Sequence, residues 1–216
     1  MTRQHLWARR ISVTAVSVAA LAALATPADA ATTATATATG ATTAATTSST
    51  AAEVDYTTWQ MDCQTVMAQA LPGLKDRIAA TEPGEKQAIV FDIDNTTLET
   101  DFGFSYPQPA NKPVLDVAKY AQEHGVSLFF VTARPGIIYA PTKYNLEYDG
   151  YDVTELRVRG LFDLFKNVAD YKTAQRADIE SDGYTIIANI GNSATDLSGG
   201  HAEKTVKLPD YDGQLS

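Results

Sequence analysis

The sequence predicts an α/β fold, a three-layer sandwich in which helices cover both faces of a mainly parallel sheet. Three observations carry this. The stretches 87–92 (QAIVFD), 126–132 (VSLFFVT) and 184–190 (YTIIANI) are apolar almost throughout, as strands buried on both faces are. Segments of helical period separate them, as crossover connections require. Each strand runs into polar residues, and in such sheets the binding crevice lies beyond the carboxyl ends of the strands.

The elements follow in order. Residues 54–80 place apolar side chains at helical spacing, and Pro72 is predicted to break the run into two helices. Residues 97–113 are polar and aromatic with three prolines, and read as a loop. Within it Phe102, Phe104 and Tyr106 fit two readings, a substrate entrance or the cover of a small core. Pro113 to His124 is an amphipathic helix closed by Gly125. Residues 135–149 have helical character that Pro141 complicates, and 157–162 read as a short strand. A helix from Ala169 to Ser181 ends near Gly183, and Glu203 to Leu208 form a last short strand. The intervals between strands are short, so no large cap domain is expected.

The folded part is expected over residues 54–216. Residues 1–30 carry Arg3, Arg9 and Arg10, an apolar run from Ile11 to Ala25, and Ala28 and Ala30 in small-x-small spacing. This is the pattern of a cleaved secretory signal, and the run is shorter than the roughly 20 residues of a spanning helix. Residues 31–53 are an Ala/Thr-rich segment with almost no charge or large apolar side chain, which reads as a disordered linker. The expected location is extracellular, with no membrane attachment once the signal is removed. The whole chain carries −9; loss of the signal removes three Arg and one Asp and leaves −11. So acidic a protein is a poor binder of nucleic acid. The single cysteine, Cys63, excludes an internal disulfide and sits in an apolar helical pattern that suits packing. His124 and His201 stand alone, with no zinc-type cluster, and His201 reads as a surface-loop residue.

The polar strand ends are the informative residues. Asp92, Asp94, Asn95 and Thr96 follow the first strand, Thr132 and Arg134 the second, and Asn192 and Asp196 the third. Carboxylates one residue apart repel, so a cation or a reaction is expected there. Carboxylates and carbonyls without His or Cys suit a hard ion such as Mg²⁺, which in turn favours a phosphate substrate. Thr132 offers a hydroxyl to phosphate, and Lys172 a positive charge to the crowded anions. A carboxylate in such a site can act as a nucleophile, with a second carboxylic acid moving protons.

These residues resemble a known family. FDIDNTT is similar to the first motif, DxDxT, of the haloacid dehalogenase superfamily of phosphohydrolases. VTAR resembles its second motif, YKTAQR the lysine motif of its acid phosphatase branch, and IIANIGNSATDL its fourth, acidic motif. The ending EKTVKLPD resembles the same branch, which includes plant acid phosphatases and vegetative storage proteins. The resemblance implies a Mg²⁺-dependent acid phosphatase that hydrolyses phosphomonoesters through an aspartyl-phosphate. It assigns Asp92 as nucleophile and metal ligand, and Asp94 as general acid and base with its carbonyl on the metal. It assigns Thr132 and Lys172 to the phosphoryl group, Asn192 and Asp196 to the metal, and Arg134 to substrate. The fourth motif usually reads Gly-Asp, whereas here it is Gly191-Asn192, which removes one negative charge. The storage proteins of the branch supply the alternative, a weakly active or non-enzymatic phosphate-binding protein.

Overall fold

The computed structural model describes residues 53–215. The expected signal, residues 1–30, and all of the expected linker but Glu53 lie outside the described residues. Five strands form one all-parallel sheet: β1 (Lys86–Phe91), β2 (Ser127–Pro135), β3 (Glu155–Arg159), β4 (Tyr184–Gly191) and β5 (Thr205–Lys207). Their order is β3-β2-β1-β4-β5. The helices are α1 (Tyr56–Ala79), α2 (Lys112–Glu123), α3 (Tyr139–Asp149), α4 (Val168–Ser181) and α5 (Ala194–Leu197).

Side-chain alternation along the strands makes the three layers. Ile89 and Phe91 of β1, Leu128 and Phe130 of β2, and Ile190 of β4 join the larger core, which α1 and α2 cover. Ala88, Val90, Phe129, Val131 and Ile186 face the other way, into a smaller core closed by Tyr171 and Ile179 of α4. Strands buried on both sides must be apolar at successive positions, and this is why they are legible in the sequence.

The chain continues as one helix through Pro72, so the expected division of α1 does not occur. A proline inside a helix removes one hydrogen bond and costs about 3 kcal/mol. Here the apolar stripe Trp59, Cys63, Met67, Ala70, Leu74 and Ile78 is buried on both sides of Pro72. Each large side chain removed from water returns about 1.5–3 kcal/mol, so burial outweighs the lost bond. Cys63 is part of that stripe, and burial pushes its thiol up to about 11, away from reactivity at neutral pH.

Three smaller boundaries also move. The strand expected at 157–162 is β3, Glu155–Arg159, and Phe162 lies outside it and is exposed. The last strand narrows to Thr205–Lys207. Pro141 is accommodated in the first turn of α3, where a helix needs no donor from it. The aromatics of the 97–113 loop divide. Phe102 stacks on Trp59 at 4.4 Å, while Phe104 and Tyr106 are exposed. His201 is at the surface, with Nδ1 2.6 Å from Glu180 Oε2.

The strand order positions the site. β1 lies between β2 and β4, with Phe91 level with Phe130 on one side and Ile190 on the other. The chain leaves β1 toward β2 and returns to its other side at β4, so the topological switch lies between β1 and β4. That is where doubly wound sheets open a crevice.

Candidate active site

Asp92 continues the ladder of β1, its N–H donating to the Ile190 carbonyl at 2.9 Å. Alternation therefore turns its side chain to the side of Val90, the face covered by α4. There Lys172 and Arg176, one helical turn apart, are both buried. Lys172 Nζ donates to Asp92 Oδ1 at 2.5 Å and to Asp196 Oδ1 at 2.6 Å. Arg176 Nη1 donates to the Asp196 main-chain carbonyl at 2.7 Å, and Asn189 Nδ2 donates to the same carbonyl at 2.8 Å. Asp196 Oδ2 accepts from Ser193 N at 2.8 Å, closing a capping box at the start of α5. Both Asp196 carboxylate oxygens are thus already engaged within the protein.

The close seating of Asp196 depends on Gly191. A Cβ at position 191 would lie 2.5 Å from the Asp196 Cβ and 2.6 Å from its Oδ2. Gly191→Ala is therefore expected to push Asp196 away from Lys172 and to cost about 1–3 kcal/mol, as overpacking of a buried site does. Thermal unfolding measures this, and an unchanged Tm would contradict the contact.

One ammonium serves two buried carboxylates, and the titrations follow from that. Burial raises the Asp92 pKa; Lys172 pulls it down without cancelling the effect, and Asp196 adds to the rise. Burial also works against the Lys172 ammonium, but Asp92 and Asp196 outweigh it and hold its pKa above the usual lysine value. The pair is therefore asymmetric, with the cation well supported and the Asp92 anion short of positive charge.

Asp94 is more open, its side chain 38% exposed. Arg134 grips it, with Nη2 donating to Oδ1 at 2.7 Å and Nε to Oδ2 at 3.1 Å. Thr100 Oγ1 donates to Oδ1 at 2.9 Å. Arg134 is itself held by Gln108 Oε1 at 3.0 Å and Thr142 Oγ1 at 3.2 Å. Arg134, expected to contact substrate, forms an ion pair with Asp94 here. Thr132 is fully buried, and its Oγ1 accepts from the Arg134 N–H at 3.1 Å. Its neighbour Ala133 lines the cavity instead.

Asp92, Asp94, Lys172, Asn192 and Asp196 line one cavity of about 440 Å³. A second cavity of about 420 Å³ adjoins it, shares Asp94 and Thr100, and is bordered by Tyr106, Ile138 and Arg134. Among the residues that line the first cavity, Asp92 offers a carboxylate and Asn192 an amide oxygen, donor types that suit Mg²⁺. Among the described residues no group of three or more His, Cys, Asp or Glu is arranged as a metal cluster. The set relies on an amide oxygen in part. Two buried carboxylates, Asp92 and Asp196, face two buried cations, Lys172 and Arg176, of which only Lys172 reaches the carboxylate oxygens.

A family model described as HAD superfamily, subfamily IIIB (acid phosphatase), matches residues 11–108 and 105–214, well over half of the chain. The chain belongs to HAD superfamily subfamily IIIB. The fold of this subfamily IIIB protein is similar to that of the class C acid phosphatase from Bacillus anthracis. That match has 18% identity and a TM-score of 0.57, over 73% of this chain and 80% of that one. The tungstate-bound structure of the Bacillus anthracis enzyme matches at 17% identity and a TM-score of 0.57, with the same coverage. No curated protein matches.

Sequence reading did not find Arg176, Asn189, Thr100 or Leu215. Asn189 had a signal, a polar residue inside a buried apolar strand, which needs a partner. Arg176 stood in the quoted YKTAQR stretch, four residues after Lys172 and so on the same helix face. Thr100 and Leu215 had none.

Proposed function

We propose that this protein is a phosphomonoesterase that works through an aspartyl-phosphate on Asp92. The observation that carries the reading is the Lys172 ammonium held between Asp92 and Asp196 at the switch point of the sheet. It fixes one Asp92 oxygen and leaves the other toward the cavity. Asp92 attacks phosphorus, forming an acyl phosphate, and the ester P–O bond breaks. In its protonated form Asp94 gives its proton to the departing oxygen; in its ionised form it pairs with Arg134 and Thr100, which hold it at the cavity mouth. Asp94 then takes a proton from water as that water attacks the acyl phosphate. Phosphate leaves and the Asp92 carboxylate is restored. Lys172 stays charged throughout and holds the nucleophile and the phosphoryl oxygens in place. Asp92, Asn192 and the Asp94 carbonyl would hold Mg²⁺, which supplies positive charge to the transferred phosphoryl group. Residues 1–30 support export of the enzyme, and its acidity speaks against a nucleic-acid partner.

The test is phosphate release from an aryl phosphate and from glycerol 2-phosphate by the mature chain, with Mg²⁺ and with chelator. Metal-dependent release supports the reading. No release between acidic and neutral pH from folded protein would sink it, and phosphate-dependent thermal stabilisation in that case would identify a protein that binds without turnover.

A further inference from the structure

The C-terminal tail folds back into this site. Tyr211 and Asp212 both adopt positive φ, 49° and 55°, a strained conformation for residues with a Cβ. Strain of that kind persists only where anchors impose it. Tyr211 Oη donates to Asp62 Oδ2 on α1 at 2.7 Å. The Leu215 side chain is buried in the larger core, and its N–H donates to the Asp210 carbonyl at 3.1 Å. The bend delivers the Leu215 carbonyl to two asparagines of the site. Asn95 Nδ2 donates to it at 3.2 Å, and Asn192 Nδ2 donates to it as well. One tail carbonyl thus ties the loop after β1 to the loop after β4.

The bridge also decides which way the Asn192 amide faces. Its NH₂ end is taken by the tail, so Oδ1 turns the other way and accepts from Thr96 Oγ1 at 3.3 Å. That leaves an oxygen, not an N–H, for a cation in the cavity. Ionised aspartate cannot take this arrangement. Both of its oxygens accept, and one would oppose the Leu215 carbonyl at a position that is only 2% exposed.

We propose that residues 211–215 are a positioning element of the site, and that the Leu215 carbonyl selects Asn over Asp at position 192. The inference rests on the phosphatase reading above only for what Asn192 presents its oxygen to. The tail, invisible to motif reading, then accounts for the one departure of this chain from the family pattern.

Thermal unfolding in chelator, on the full chain with Asn192→Asp, Leu215→Ser or both, reads this coupling without metal or turnover. Asn192→Asp should lower Tm by about 4 °C or more with the native tail, and by clearly less once Leu215→Ser has loosened the carbonyl. Shifts that simply add, or an unchanged Tm for Asn192→Asp, overturn the proposal. Titration with Mg²⁺, again followed by Tm, is the second readout. Leu215→Ser should raise the Mg²⁺ needed for half-maximal stabilisation on the order of tenfold, the usual scale for losing a group that orients a ligand. Asn192→Asp alone should not tighten Mg²⁺ despite its added charge, whereas the double variant should bind it more tightly than Leu215→Ser. If Leu215→Ser unfolds the protein, Tyr211→Phe loosens the tail without touching the core and should move the Mg²⁺ midpoint in the same direction. A folded tail variant with the wild-type midpoint overturns the proposal. A wild type that neither responds to Mg²⁺ nor releases phosphate counts against the phosphatase reading, and the chelator measurement then decides the tail alone.

Discussion

Asp92→Asn is expected to abolish phosphate release, by on the order of 10,000-fold or more, in a protein that stays folded. The amide has nearly the shape of the carboxylate, and its oxygen can still accept from Lys172 Nζ. What it lacks is the charge and nucleophilicity needed to attack phosphorus. Stability should move the other way. Asp92 is buried and shares a single ammonium with Asp196, and its pKa is raised. A carboxyl with a raised folded-state pKa holds its proton more tightly folded than unfolded. Stability is therefore greatest below the unfolded pKa of about 3.9 and is lost as pH rises through the folded value. Removing the charge lifts that cost. In chelator, Asp92→Asn should match or exceed the wild-type Tm at pH 7, and the difference should fade toward acid. A dead variant with an intact Tm supports Asp92 as an essential carboxylate of the reaction, whereas turnover at wild-type rate would remove it from the nucleophile role.

Lys172→Met should cause the larger loss of stability. It leaves the Asp92 and Asp196 carboxylates, 7% and 3% exposed, without the cation between them. Removing one partner of a buried ion pair costs about 3–5 kcal/mol, because the remaining charge is stranded. In a domain of this size that lowers Tm by roughly 10 °C. Adding Asp196→Asn should recover much of the fall, since it removes one of the stranded charges, yet phosphate release should stay lost because nothing holds the nucleophile and phosphoryl group. A Tm for Lys172→Met equal to wild type would mean that the ammonium does not lie between the two carboxylates. A double variant no more stable than the single one would mean that the loss comes from packing.

The family was legible in the sequence for a physical reason. A doubly wound sheet buries its strands on both faces, so β1, β2 and β4 appear as short apolar runs, rich in β-branched and aromatic residues. Side chains beyond their carboxyl ends share one rim, so Asp92, Asp94, Asn192 and Asp196 could be grouped from strand ends alone. Lys172 was singled out as a charge for the crowded anions and strengthened by its likeness to a motif; in isolation it reads as a solvated helix lysine. Pro72 misled because the local cost of a proline is visible in sequence, while the burial that offsets it along α1 is not. The pairing of Arg134 with Asp94 was hidden for a similar reason, because no local pattern shows the distance between residues 40 apart in the chain.

The sequence by itself determined the layers, the order of the polar strand ends and the residue types that meet at the rim, since these follow from hydrophobic period and strand topology. Only the tertiary structure decided how those residues pair. It set Lys172 between two carboxylates, placed Asn189 and Arg176 beneath the Asp196 carbonyl, and brought Leu215 back to Asn95 and Asn192 across more than a hundred residues of chain in one case. Hydrogen bonds of that kind depend on distances of a few tenths of an ångström between segments remote in sequence. No local pattern encodes them, because neither partner carries a mark of the other until the core has packed.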